Sequence, residues 1–431
     1  MKVKVPDDTR SLHKIGEYVM SYDGWKNAYA NALANRIGRV LITSKVWNDP
    51  WAALEKGKLE LGETVEEVFV NIANPQKFDP ELSETNVFKR VLPDIRAAFH
   101  TMNYQKYYKV SVSDAQLRQA FLSWGDVNSL TSYIVDSLYT GMALDAFLVK
   151  KYMLARELVN GGFHEVITKP IEGDGANPKD AVAKYREYTN NMLLLKSIYN
   201  RAGVRTSTPI ADQLIIIPNH VEAVLGVEVL ASAFQLSQVD YISKRIPVDS
   251  FEFDADDEAR LALLFKDDPD YNEFTGPEKA SLQKVNAVKI DRNWMMVFDN
   301  LQEMESIRNG EGLYWQYWLH SWKTVSASPY SNAIAFTEEA SEITEVSVSP
   351  ATANVAQGSD LTLTATVSGT GLYEKSVTWS IDGQTSDDTR INADSGVLHV
   401  SASEEASTEI TVTATAKDGQ TGTATITVVA A

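Results

Sequence analysis

The chain has 431 residues and a mass of 47.8 kDa, which predicts two or three folding units because domains usually hold roughly 100–200 residues. Apolar residues make up 44% and charged residues 23%, which excludes a disordered chain and a collagen-like repeat, and the absence of cysteine excludes disulfides, thiolate metal sites and a cysteine nucleophile. The net charge of −18 argues against broad nucleic-acid binding, since phosphate backbones repel an acidic surface.

The first 112 residues predict an arm followed by an extended segment. Residues 1–44 are mostly polar and lack the apolar core of a signal peptide, so we expect no secretion signal. No run of 18 apolar residues exists in the sequence, so we expect no membrane span. Strand-like pieces occur at Val65–Ile72 and Tyr107–Val112, and a glycine-flanked segment, Lys58–Leu61, predicts a hairpin tip.

A long helix is predicted over residues 113–162. It begins with a capping box, Ser113-Asp-Ala-Gln116, in which side chains and backbone satisfy each other's hydrogen bonds. Apolar residues that include Phe121 and Trp124 then recur at three- and four-residue steps, which predicts one buried face. Asn160-Gly161-Gly162 supplies the stop, and Gly125 and Gly141 predict a bend or a break.

The middle of the chain predicts alternating helices and strands. Helices are expected at Asp180–Ala202 and Val221–Phe234, with a short buried strand at Leu214–Ile217. Residues 249–279 carry eleven acidic and three basic side chains. Their spacing resembles a calcium-binding loop only in part, because Glu273 and Lys279 stand where glycine and glutamate are required. We therefore favour a solvated acidic loop over a metal site.

Aromatic strands follow at Asn293–Phe298 and Gly312–Ser328. In the second strand, alternation places bulky side chains on both faces. A sugar-binding or base-stacking platform is one interpretation, but a strand packed on both sides is favoured. The tryptophans assigned to the core or to assembly contacts in these strands are Trp294, Trp315, Trp318 and Trp322.

The composition changes sharply near residue 340. Residues 341–431 contain 29 serines and threonines, 12 acidic and 3 basic side chains, and no phenylalanine. Runs that alternate with period two, such as Leu361–Val367 and Ile410–Ala416, are separated by turn residues. This pattern predicts an immunoglobulin-type β-sandwich with Trp379 in its core.

The sequence contains little that suggests catalysis. None of the six histidines pairs with another at metal-ligand spacing, and the chain has no nucleophile elbow, phosphate-binding loop or dinucleotide-binding motif. We therefore expect no enzyme activity, no cofactor and no bound metal.

Six motifs follow one another along the chain: Glu55–Glu67, Phe121-Leu-Ser-Trp-Gly125, Trp294-Met-Met-Val-Phe-Asp-Asn300, Met304–Asn309, Gly312-Leu-Tyr-Trp315 and Asn332-Ala-Ile-Ala-Phe336. Together and in this order, they resemble the major capsid proteins of phi29-like podoviruses. The C-terminal pieces Ser347–Pro350, Val377–Ser380 and Ile410–Thr415 resemble a bacterial Ig-like group 2 domain.

The resemblance implies an α+β chain with an HK97-like capsid domain at 1–340 and an all-β Ig-like sandwich at 341–431. The acidic stretch at 249–279 is longer than in the family's pattern, so the resemblance does not place it. We predict that it belongs to the axial domain. The implied parts of the capsid domain are an N-terminal arm at 1–44, an E-loop at 45–112, a spine helix at 113–162, an axial domain at about 163–310 and returning peripheral strands at 311–340.

The implied function is a structural one. Copies of the chain would form hexamers and pentamers of a head shell that encloses double-stranded DNA without sequence-specific binding, in a virion assembled in the host cytoplasm. A scaffolding protein and a portal at one vertex are the implied partners; because the arm starts almost at once, the scaffold would be a separate chain. Within the E-loop, Val65, Val68, Phe69 and Ile72 are expected to pack on a neighbouring subunit.

The Ig-like tail would fold independently and decorate the exterior. Two alternatives remain: an encapsulin-type compartment shell, which shares the fold, and a secreted adhesin that uses an Ig-like spacer.

Overall fold

The structure is a computed structural model that describes residues 47–60, 62–76, 90–113, 124–171, 176–230, 244–266, 268–269 and 271–430. The predicted arm at 1–44 and residues 114–123 of the predicted helix, including Phe121, lie outside the described residues, while Ser113 is the last residue of a strand. Trp124 opens the described part of the long helix, but its side chain lies outside the described set.

The extended N-terminal region forms three strands. Strands β1 (Val65–Val70) and β2 (Ile95–His100) pair antiparallel as a hairpin, and β3 (Tyr104–Ser113) joins a separate sheet. The prediction of a hairpin tip at Lys58–Leu61 is wrong. Backbone bonds from Lys56 and Leu59 to residues 297 and 299 instead hold this segment alongside a distant strand.

Helix α1 (Trp124–Val159) is one continuous helix of 36 residues, which at 1.5 Å per residue is about 54 Å long. The predicted break at Gly141 does not occur. One glycine costs a helix only about 1 kcal/mol, which a helix of this length tolerates. A Cβ on Gly141 would lie 3.7 Å from Tyr108 and from Arg260, an ordinary contact distance, so the packing there does not require glycine. The predicted stop is confirmed, because Gly161 adopts a φ of +66° and its N–H donates to Leu158.

A five-stranded sheet forms the centre of the molecule, in the order β4-β10-β7-β5-β6. One of its faces packs on α1, and the other packs on helices that include Tyr185. The predicted helix at Asp180–Ala202 ends early, at Asn191, because the chain then folds back and Lys196 pairs with Thr206. The elements that lead into this sheet are β4 (His164–Ile167), α2 (Ala176–Asn191), β5 (Gln213–Pro218), α3 (Asn219–Leu230) and β6 (Lys244–Val248).

The acidic stretch at 249–279 is not simply a solvated loop, so that prediction is wrong. It contains α4 (Ala255–Leu264) and the start of α5 (Gly276–Gln283). Asp254 caps α4 by accepting from the Asp257 N–H, and Glu278 completes a capping box with Thr275. Carboxylates are favourable at helix N-termini because the backbone there carries partial positive charge.

Two long strands and two short ones complete the part of the chain that precedes residue 338. Strands β8 and β9 pair with β3 in the order β3-β9-β8, while β7 and β10 enter the central sheet, where every residue of both is buried. The predicted aromatic strand at Gly312–Ser328 is confirmed as β9. The bounds are β7 (Val285–Asp291), β8 (Met295–Asn309), β9 (Tyr314–Ala327) and β10 (Ala333–Thr337).

Residues 342–429 are all strand and turn, and we call them the C-terminal module. Strands β12, β19, β18 and β15 form one sheet in that order, while β11-β14 and β13-β17-β16 form two smaller ones. A hydrophobic core of their own joins them, and Trp379 belongs to it. The strands are β11 (Glu342–Ser349), β12 (Thr352–Ala356), β13 (Asp360–Thr362), β14 (Thr364–Thr370), β15 (Val377–Asp382), β16 (Arg390–Ile391), β17 (Val397–His399), β18 (Glu409–Ala416) and β19 (Thr421–Val429).

Lys289, a buried lysine in β7 of the central sheet, should make the free energy of unfolding depend on pH. Lys289 is fully buried and donates to the Tyr185 carbonyl and the Thr189 hydroxyl, and burial lowers its pKa from 10.5 to about 7. The unfolded chain therefore binds the proton more readily between these pH values, so the free energy of unfolding should rise with pH across that window.

We expect Lys289→Met to stabilise the unassembled chain by about 1–4 kcal/mol at pH 7, since the variant has no buried amine to desolvate. The gain should shrink towards zero as the pH approaches 10.5. Urea unfolding at several pH values measures it, with the exposed Lys284→Met as the matched control. A gain that does not depend on pH would contradict the assignment.

Candidate assembly surfaces and the α1 ionic cluster

Helix α1 carries three almost fully buried charges, which we call the α1 ionic cluster: Asp145, Lys150 and Lys151. Each faces an oppositely charged side chain from a different part of the sequence. Burying an unpaired charge costs several kcal/mol, so each of these contacts is required once its charge is buried. The cluster therefore dictates which segments must lie against the helix.

Lys150 fastens the segment that precedes the hairpin. Its Nζ donates to Asp49 and, at 2.8 Å, to Glu55. Burial alone would raise the pKa of Glu55, but Lys150 and Lys323 outweigh burial and lower it. Trp51 anchors the same segment by burying its ring edge-on against Phe147 and donating from Nε1 to the Pro247 carbonyl at 2.9 Å.

The other two charges hold the acidic stretch and β3. Lys151 donates to Asp249 at 2.9 Å and lies 4.7 Å from the Phe253 ring centroid. Asp145 accepts from Arg260 at 2.7 and 2.9 Å and from the Tyr108 hydroxyl at 2.7 Å. The hydrogen bonds to Asp145 raise the pKa of Arg260, and burial raises the pKa of Tyr108. The acidic stretch thus carries the counter-ions of α1.

The β1–β2 hairpin has one face used within the chain and one face open. On the used face, Phe69 stacks on Tyr330 with ring centroids 5.5 Å apart, and His100 Nε2 lies 3.2 Å from Glu67. The sequence expectation grouped Phe69 with the residues that face a neighbour, but the structure places Phe69 against its own chain.

We call the open side the hairpin outer face. Four of its apolar side chains are more than half exposed: Val68 at 53%, Val70 at 58%, Ile95 at 56% and Phe99 at 67%. Ala97 and Glu66 complete this face by strand register. Such a contiguous apolar surface is unusual on a protein that acts as a monomer.

The sheet β3-β9-β8 also has one covered and one open face. Tyr108 and Leu319 share the covered face, on which α1 packs. The opposite face, which we call the aromatic sheet face, carries Trp318, Trp322 and Tyr107, the last of which is 63% exposed. Lys109 lies over the Trp318 ring at 5.5 Å. Trp315 alternates to the covered side and is half-buried.

Two of the predicted tryptophans are core residues within the chain. Trp294 is buried and packs on Phe163 with ring centroids 4.9 Å apart. Trp379 is 5% exposed, and the backbone of Gly396 approaches so closely that a Cβ there would lie 2.7 Å from the Trp379 ring. These two positions are therefore separate from the open surfaces that carry Trp318 and Trp322.

The sequence reasoning missed the α1 ionic cluster. A signal was present, because Lys150-Lys151 interrupts an apolar run between Leu144 and Leu158. Within the described residues, no group of three or more His, Cys, Asp or Glu side chains could hold a metal ion, and no helix is long and apolar enough to cross a membrane.

Comparison with known proteins gives one consistent result. A family model described as Phi29-like phage major capsid protein matches residues 4–337. The chain is 33% identical over 417 residues to the major capsid protein of Bacillus phage B103, covering 96% of this chain and 85% of that protein. Its identity to the major capsid protein of Bacillus phage PZA is also 33%, over 413 residues, covering 95% and 85%.

Solved structures show the same fold at lower identity. A chain in the capsid structure of Staphylococcus phage Andhra matches with a TM-score of 0.55 at 16% identity, covering 71% of this chain and 88% of that one. A chain in the structure of native bacteriophage P68 matches with a TM-score of 0.54 at 16% identity, covering 70% and 88%. The mixed α/β architecture is therefore that of phage capsid proteins.

Lys150→Met should destabilise the unassembled chain by about 3–5 kcal/mol, because Asp49 and Glu55 would lose their buried partner. The matched control is Lys417→Met, whose side chain is 72% exposed in its pair with Glu374; such pairs contribute about 0–1 kcal/mol. Denaturant unfolding at pH 7 measures both. Equal effects of the two substitutions would contradict the role of the cluster.

Proposed function

Because the chain belongs to the Phi29-like phage major capsid protein family, whose members form the head shell of tailed bacteriophages, we propose that its copies join through the hairpin outer face. The chain is a major capsid protein, and its place is the capsid of the virion. The relatives are all major capsid proteins, so neither a cargo-holding compartment shell nor a secreted adhesin is supported.

The observation that carries the proposal is the amphipathic hairpin. Its inner face is satisfied by Tyr330, Ser326 and Ser328 of the same chain, while its outer face leaves Val68, Val70 and Phe99 in solvent. Exposed side chains of this size gain about 25 cal/mol for each Å² of apolar area that a partner covers. A shell protein meets many copies of itself, so the occupant we propose is a second copy.

The surface we propose to receive the hairpin is the aromatic sheet face of that second copy. This face offers apolar area to a partner, because Trp318 and Trp322 are partly exposed there and Tyr107 is 63% exposed. Lys109 on this face has the opposite charge to Glu66 on the hairpin outer face, which would help to fix the register of the contact. In this arrangement Trp318 and Trp322 would be assembly residues, one of the two roles, core or assembly, that their sequence pattern left open.

The HK97-like division of the chain is part of the same proposal. The hairpin would be the tip of the E-loop at 45–112, α1 the spine helix and the central sheet the core of the axial domain at about 163–310. The returning strands at 311–340 would be β9, which pairs with β3 and β8, and β10, which enters the central sheet. Support comes from the long α1 packed on β3 and β9 and from the similarity to the Andhra capsid chain.

The C-terminal module would be the Ig-like domain at 341–431, facing outwards. Support comes from its separate core around Trp379 and from the end of the family match at residue 337. Hexamers and pentamers, a separate scaffolding protein and a portal are the partners that this function calls for, and the role of the protein is structural rather than enzymatic.

The test is a double substitution on the hairpin outer face, Val68→Asp with Val70→Asp. Both side chains are more than half exposed, so the melting temperature of the unassembled chain should change by no more than a few degrees. Assembly with scaffold should fail, because two charges would have to be buried without partners.

The matched control is Leu263→Asp, which replaces a leucine on α4 that is also more than half exposed, at 67%. Negative-stain electron microscopy counts closed shells for each protein. Normal shells from the double variant would refute the proposed contact, and loss of shells from the control alone would place the contact on α4 instead.

A further inference from the structure

A loop of the C-terminal module is buried in the shell part of the chain. Residues 371–375, between β14 and β15, reach the end of α1 and the start of α5, and we call them the plug. Leu372 of the plug is 5% exposed and belongs to the hydrophobic core built on α1, together with Leu158 and Phe163, rather than to the core of the module. The module therefore contributes a side chain to a core other than its own.

The end of α1 is shaped to receive the plug. Gly161 ends the helix with a φ of +66°, and a Cβ at this position would lie 2.4 Å from the Glu374 nitrogen and 2.6 Å from its Cα. Heavy atoms do not approach so closely, so no other residue fits without displacing the plug. The glycine that caps the helix also provides the space in which the module docks.

Ionic contacts close around the plug. Lys375 donates to Glu278 at 2.5 Å, and Arg156 of α1 lies 3.5 Å from the same carboxylate. Burial would raise the pKa of Glu278, but the hydrogen bonds from Lys375 and Thr275 outweigh it and lower the pKa. At the other side of the junction, Ser341 donates from its backbone and hydroxyl to Glu165 at 3.1 and 2.8 Å.

We propose that the plug locks the C-terminal module onto the α1–α5 junction, so that the module and the preceding part of the chain up to residue 341 unfold as one cooperative unit. The sharp change of composition at residue 340 predicts a tethered domain with few contacts across its boundary. The plug contradicts a tether, because an apolar anchor, a steric fit and an ion pair meet within five residues. The module therefore sits in a single orientation on each subunit.

The experiment uses the unassembled full chain and two readouts, scanning calorimetry and cleavage by a glutamate-specific protease in the 337–342 segment, which contains Glu338, Glu339 and Glu342. The wild type should melt in one transition and be cleaved slowly. Leu372→Ala should split the transition in two and speed cleavage at least tenfold. Arg390→Met, an exposed change on β16, is the control and should alter neither readout.

A double-mutant cycle keeps the test valid if Leu372→Ala fails to fold. Lys375→Met should speed cleavage at least threefold in the wild type and have no further effect in Glu278→Gln, in which the glutamine side-chain oxygen can still accept from the Thr275 N–H of the capping box. Two transitions in the wild type, an unchanged cleavage rate in Lys375→Met, or equal effects of Lys375→Met in both backgrounds would each overturn the lock. Failure of shell assembly alone would bear on the proposed function and not on the lock.

Discussion

The fold depends on three charged side chains of helix α1 that are buried against other segments of the chain. Asp145, Lys150 and Lys151 are buried on α1, and a buried charge without a partner costs several kcal/mol. Segments from residues 49–55, 249–260 and β3 must therefore return to the same helix for the fold to be stable. Apolar packing around α1 would tolerate small shifts of these segments, but the charge pairs require defined distances and so give the shell subunit one arrangement.

This constraint explains how a subunit can be rigid and still expose a large apolar surface. The segment before the hairpin is fixed by Lys150 and Trp51, and the hairpin inner face is fixed by Tyr330 and Glu67. The outer face is thereby presented in a defined position without contributing to the folding of its own chain. In the proposed contact, subunits would meet through preformed surfaces, which reduces the entropy cost of association.

The sequence predicts the parts of this fold whose side chains repeat with a clear period. The alternation of threonine with apolar residues marks the C-terminal strands, and the stop at Asn160–Gly162 marks the end of α1. The acidic stretch was misread because counter-ions for Lys151 and helix caps look the same, in a sequence, as a solvated surface. The break predicted at Gly141 is absent because one glycine costs a helix only about 1 kcal/mol, which the packing of α1 on β3 and β9 outweighs. The plug and the α1 ionic cluster could not be predicted either. Neither produces a periodic pattern in the sequence, because each is formed by contacts between segments that lie far apart in the chain.

The short connection between β10 and β11 has a mechanical consequence. Only residues 338–341 separate β10, all of whose residues are buried, from the first strand of the C-terminal module. Strand β10 is held on one side by β4 and on the other by β7. A pull on the module along the chain would therefore load two strand pairs of the central sheet at once, in shear, instead of peeling one edge. A force on the module would therefore be spread into the middle of the subunit, where β10 is paired on both sides.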